Sequence, residues 1–110
     1  MALEAVAGSC EVAMGATLGG AHGGEQVLLV RTEQGVFAVE NRCSHAYQEL
    51  AGGKVRKVFI FCPLHGLRFD LRNGCAKGEL TDKPIKAWHC EERDGSILVD
   101  LGTRLDPGAT

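Results

Sequence analysis

The sequence predicts an all-β fold, a base of antiparallel sheet carrying a smaller lobe, from three observations. Asp94-Gly95 lies between two β-rich runs at residues 85–92 and 96–101, which is the chemistry of a hairpin turn. A second pair of apolar runs, 26–31 and 36–39, flanks Glu33-Gln34-Gly35. A third pair, 54–61 and 67–71, is rich in β-branched and aromatic residues and brackets a short loop bearing a cysteine and a histidine.

Residues 2–18 mix short apolar runs with Gly8 and Gly15, and predict an edge strand or two joined by a turn. The run G-G-A-H-G-G at 19–24 predicts a flexible loop with His22 as a solvated side chain. The hairpin of 26–39 then delivers the chain to Cys43, with Asn41 and Arg42 ending its second strand. Residues 46–53 carry a first loop away, and Gly52-Gly53 turns it. Residues 54–61 are expected to form one strand leading into Cys62, and 67–71 the strand leaving the second loop. Asn73-Gly74 is a turn signal, 78–84 is polar and irregular, and Pro84 cannot extend a ladder. Within the closing hairpin Trp88 is expected to pack in the core. His89 and Cys90, adjacent on one strand, point to opposite faces and are poorly placed to chelate one ion. The tail at 103–110 carries no pattern and predicts a frayed end.

A chain of 110 residues is one domain by length, here 1–110, with the smaller lobe at about 41–83 and the base formed by 1–40 and 84–110. A hydrophobic content of 45% and a net charge of −2 suit a soluble globular protein and argue against disorder or a nucleic-acid-binding surface. The opening M-A-L-E-A-V-A lacks a basic region and a long apolar core. No window approaches the roughly twenty apolar residues that span a bilayer, so no membrane partner and a cytoplasmic location are expected. The charge is uneven. Residues 41–83 hold eight Lys/Arg and four Asp/Glu, a net of +4, while the remainder holds four and ten, a net of −6. A basic rim on the lobe, steering acidic partners, is the expectation.

The chemistry is concentrated in C-S-H at 43–45 and C-P-L-H-G at 62–66. Each short loop offers one thiolate and one imidazole, and the spacer lets the loops face each other. Cys43, His45, Cys62 and His65 are therefore candidate ligands for tetrahedral zinc or for an iron–sulfur cluster in which two histidines replace two cysteines. Zinc sites usually pair like with like, Cys with Cys and His with His, along the chain. Mixed pairs suit a two-iron rhomb, both cysteines on one iron and both histidines on the other. The remaining Cys10, Cys75 and Cys90 are odd in number and irregularly spaced, which fits reduced thiols.

The pattern C-x-H, a spacer, then C-x-x-H resembles the Rieske [2Fe–2S] motif. The flanks V-F-A-V-E-N-R, R-F-D-L-R-N-G and P-I-K-A-W…D-G-S-I-L-V-D-L extend the resemblance to the Rieske-type ferredoxins of bacterial ring-hydroxylating dioxygenase systems, over about residues 26–101. The resemblance implies the Rieske fold, with two ligand loops on a cluster-binding lobe, and one [2Fe–2S] cluster held by Cys43, His45, Cys62 and His65. It also implies a third loop near Pro84 packed over the cluster. A flavoprotein or iron–sulfur flavoprotein ferredoxin reductase using NAD(P)H would be the electron donor, and a terminal Rieske oxygenase the acceptor. Asp70 resembles an acidic residue common after the second loop in this family; an exposed strand carboxylate is the simpler expectation. With every donor engaged on iron and no acid/base or nucleophile set elsewhere, an electron carrier is expected rather than an enzyme. The other readings are a Rieske-like small subunit of nitrite reductase and a zinc-binding interaction module.

Histidine ligation leaves the oxidised cluster formally neutral, so adding an electron is less unfavourable than with four thiolates. The motif also resembles respiratory-chain Rieske proteins, which carry a further cysteine in each loop and a serine and tyrosine two and four residues beyond the second histidine. Gln48, Leu64, Leu67 and Phe69 stand at those positions. With fewer hydrogen bonds to sulfur, the potential is expected near the low end of the Rieske range, roughly −150 mV.

Overall fold

The computed structural model describes residues 3–44, 48–63, 67–77 and 83–105. Its strands are β1 (Glu4–Gly8), β2 (Thr17–His22), β3 (Glu25–Thr32), β4 (Gly35–Glu40), β5 (Val55–Arg56), β6 (Phe59–Phe61), β7 (Arg68–Asp70), β8 (Ala76–Lys77), β9 (Ala87–Arg93) and β10 (Ser96–Arg104). Among the described residues one 3₁₀ turn, Ser9–Glu11, interrupts them. A six-stranded sheet runs in the order β1-β10-β9-β4-β3-β2, and a four-stranded sheet in the order β5-β6-β7-β8. All pairings are antiparallel.

Strand β3 explains how the sheets pack. Its run Val27-Leu28-Leu29-Val30 is buried at every position. Leu28 and Val30 join a core cluster with Ile60 and Phe69 of the smaller sheet, while Val27 and Leu29 join a second cluster with Trp88, Ile97 and Val99. An unbroken apolar run is what a strand covered on both faces requires, since alternate residues point to opposite sides. Trp88 thus packs in the cluster that contains neither Cys43 nor Cys62. Its Nε1 has no hydrogen-bond partner among the described residues.

The hairpins of β3–β4 and β9–β10 form where their sequences place them, the latter turning through Asp94 and Gly95 at φ 53° and 80°. Three expectations need correction. Residues 19–22 are strand rather than loop, laddered to β3 in register from Thr17↔Val30 to His22↔Glu25. Glycine there weakens intrinsic strand preference, but the long-range ladder overrides it. It also leaves space, because a Cβ at Gly19 would lie 2.9 Å from the Asn41 side-chain nitrogen. Residues 54–61 form two short strands rather than one, because Lys57 takes a left-handed φ of 55° and folds β5 back on β6. The chain end is ordered further than its composition implies: β10 reaches Arg104, and the Leu105 amide bonds the Ala87 carbonyl at 2.7 Å. Residues 106–110 lie outside the described residues.

Candidate metal centre

Cys43 follows the end of β4 and Cys62 follows the end of β6, so one cysteine is delivered by each sheet. Both are buried, at 0% and 2% exposure, and both belong to the core cluster between the sheets. The two loops they open are closed alike. The Cys43 amide donates to the Gln48 carbonyl at 2.6 Å, and the Cys62 amide donates to the Leu67 carbonyl at 2.7 Å. Each bond spans five residues and encloses, in sequence, the histidine of its motif. His45 and His65 themselves lie outside the described residues, as do Leu64 and Gly66.

The first loop is pinned by Asn41, which the sequence marks only as a strand end. Asn41 is buried, and its Oδ1 accepts the amides of Leu50 at 2.9 Å and Ala51 at 3.0 Å, tying the loop's return to its departure. Thr17 Oγ1 accepts the Gly52 amide at 2.9 Å, which fastens the same return to β2. Asparagine commonly bonds nearby backbone, but its partners here are nine and ten residues away, beyond the reach of local patterning.

The second loop stands on the β6–β7 hairpin, in register Phe59↔Asp70, Ile60↔Phe69 and Phe61↔Arg68. Asp70 is not the exposed carboxylate expected. It is 1% exposed, and accepts from the Arg72 amide, Nε and Nη2 at 2.9, 3.0 and 2.7 Å. Those bonds to Arg72 hold its carboxyl below the usual carboxylate range against the opposing effect of burial. Its backbone closes the following turn, accepting from Gly74 at 2.7 Å and donating to the Cys75 carbonyl at 2.8 Å. The neighbouring Arg56 and Lys57 are exposed, in keeping with a solvated strand face.

A third segment meets the first loop. Ser44 Oγ donates to the Lys83 carbonyl at 2.6 Å, and the Ile85 amide donates to Gly74 at 2.9 Å. The residue before Pro84 is thereby held against the residue after Cys43, while Pro84 itself is exposed. His89 bonds Glu91 at 2.8 Å, and burial with nearby Glu92 and Glu91 pushes the Cys90 thiol up to about 12, so neither joins the centre.

Buried, unbridged thiols at the heads of two matched loops, within an apolar cluster, fit the soft-donor half of an iron–sulfur site from which water is excluded. Among the described residues they are joined by no further His, Cys, Asp or Glu in a metal-holding group.

Fold and loops together define an all-β protein of two packed antiparallel sheets, with a buried cysteine opening each of two similarly closed loops. The chain belongs to the Rieske [2Fe-2S] domain family, which it matches over residues 3–89, and its cofactor is one Rieske-type [2Fe–2S] cluster. It is 31% identical over 101 residues to the ferredoxin component of biphenyl 2,3-dioxygenase from Rhodococcus jostii (strain RHA1), covering 92% of this chain and 94% of that protein. The solved ferredoxin of carbazole 1,9a-dioxygenase from Nocardioides aromaticivorans IC177 is 31% identical with a TM-score of 0.82, covering 90% of this chain and 97% of that one. A putative NADH-dependent nitrite reductase small subunit from Mycobacterium tuberculosis matches with a TM-score of 0.80 at 20% identity, covering 89% and 93%, a likeness of fold alone. No helix among the described residues is long and apolar enough to cross a membrane.

Proposed function

We propose that this protein is the one-electron carrier of an aromatic-ring dioxygenase system, receiving electrons from an NAD(P)H-dependent flavoprotein reductase and passing them to a terminal Rieske oxygenase. Cys43 and Cys62 would hold one iron of the cluster and His45 and His65 the other. The observation that carries this reading is the pair of buried cysteines opening loops with the same closure. Relatives of about 30% identity named as dioxygenase ferredoxins favour it over a nitrite reductase subunit, to which the likeness is in fold.

When bound, a Rieske cluster accepts and returns a single electron without making or breaking covalent bonds to a substrate. The chain's own contribution is positional. Asn41 and the two cysteine amides fix the loops before any electron arrives, so little needs to rearrange on transfer. Leu50, Ile60, Leu67 and Phe69 surround the cysteines with apolar side chains and keep water from the sulfurs. The four-stranded sheet supports reading residues 41–83 as the cluster-binding lobe on a base of 1–40 and 84–110. Five unbridged cysteines fit a reducing, cytoplasmic setting.

Electron paramagnetic resonance of the dithionite-reduced protein tests the centre. A spectrum of a two-histidine, two-cysteine cluster is expected. A four-cysteine spectrum, or a colourless protein containing zinc, would sink the assignment.

A further inference from the structure

The outer face of the smaller sheet holds a second feature that the candidate metal centre does not use. A cleft of about 750 Å³ opens between the end of β3 with its following turn, at Arg31, Thr32 and Glu33, and the outer face of β5–β7. Its size falls within the roughly 300–1,000 Å³ of small-molecule sites. On β6 the alternation is clean: Ile60 points into the core, while Phe59 and Phe61, half-buried, line the cleft. Arg68, opposite Phe61 in the ladder, sets its guanidinium 5.3 Å from the Phe59 ring centroid.

The charge around this apolar wall is unbalanced. Arg56, Lys57 and Arg68 line it against the single acid Glu33, a net of +2, while the guanidinium of Arg31 at its edge donates to the Val12 and Ser9 carbonyls. Arg31 is committed to Glu92. Arg56, Lys57 and Arg68 form no ion pair among the described residues. Lys57 sits where β5 turns back on β6. Its φ of 55° lies in the left-handed region, where a side chain costs about 1–2 kcal/mol and glycine nothing. A lysine at this turn places a cation on the cleft that glycine would not.

The geometry points to this cleft as a binding site for an aromatic carboxylate: a flat apolar ring against Phe59 and Phe61, its anionic group among Arg56, Lys57 and Arg68. An inorganic anion would leave the phenylalanines unused, and a neutral hydrocarbon would leave the cations uncompensated. Cation–π and charge-assisted contacts supply the two halves of recognition.

Isothermal titration calorimetry of the holoprotein tests it, with 2-naphthoate as probe and 2-naphthylmethanol and acetate as controls that each lack one half. The naphthoate should bind at least about tenfold more tightly than either control, or about 1.4 kcal/mol. Arg68→Gln should weaken it by a similar factor. Lys57→Gly should weaken binding while raising the thermal midpoint, a combination that misfolding cannot produce, and Glu33→Gln should tighten it. Equal binding of the alcohol, affinity unchanged by Lys57→Gly and Arg68→Gln, or no heat at millimolar naphthoate would overturn the assignment.

Discussion

Asp70 and Arg72 form a closed pair at the end of β7, with the buried carboxylate gripped by the backbone amide, Nε and Nη2 of a residue only two positions on. The same turn brings the Cys75 carbonyl back to the Asp70 amide at 2.8 Å. Asp70→Ala leaves the part-buried Arg72 amide without its acceptor and should cost about 1–3 kcal/mol. Because the folded-state pKa is lowered, Asp70 contributes stability that is complete above the unfolded pKa of about 3.9 and is lost as pH falls through the lower folded value. The gap in urea midpoint between wild type and Asp70→Asn should therefore stay constant from about pH 8 to about pH 5 and narrow only below about pH 4. A gap that closes near neutrality would show that another group is responsible.

Gly53 joins the two ligand loops. A Cβ there would lie 2.2 Å from the Phe61 carbonyl oxygen and 2.9 Å from that of Leu50, both backbone atoms that cannot step aside. Gly53→Ala should cost about 3 kcal/mol or more and reduce the bound iron per chain. Gly15→Ala, with no atom within 4 Å of the added carbon, bears only the penalty of its positive φ and should retain its iron. Iron content and thermal midpoint, measured on both, provide the comparison.

Replacing His45 or His65 by alanine should bleach the protein, since each is proposed as one of only four anchors. His22, at the end of β2 opposite Glu25, and His89, bonded to Glu91, should be replaceable with the visible spectrum intact. Loss of colour in His22→Ala or His89→Ala, with colour retained in His65→Ala, would reverse the ligand assignment.

The reduction potential should lie near the low end of the Rieske range, roughly −150 mV. Leu67 and Phe69 are buried in the same core cluster as Cys43 and Cys62 and carry no hydroxyl. Each missing donor leaves more negative charge on sulfur and makes the reduced state less favourable. Leu67→Ser and Phe69→Tyr should each raise the potential. Protein-film voltammetry giving a clearly positive wild-type value would contradict both the argument and the proposed place between nicotinamide and oxygenase.

Much of this protein is written locally. The Asp94-Gly95 turn, the apolar runs of β3 and β4, and the alternating cysteine and histidine spacing depend on neighbours a few residues apart, so hairpins and candidate ligands are legible in the sequence. What the sequence could not decide were matters settled by contacts between distant segments. Residues 19–22 became strand because β3 offered a ladder, and Lys57 broke a run that composition alone reads as continuous. Asn41 became the clasp of the first loop only because Leu50 and Ala51 return beneath it. Asp70 is buried because the turn after β7 brings the Arg72 amide and guanidinium onto its carboxylate, a closure that strand alternation does not announce. Local chemistry determines which elements and ligands can exist. The free energy of burying groups far apart in sequence decides where they meet, and that depends on the whole chain at once.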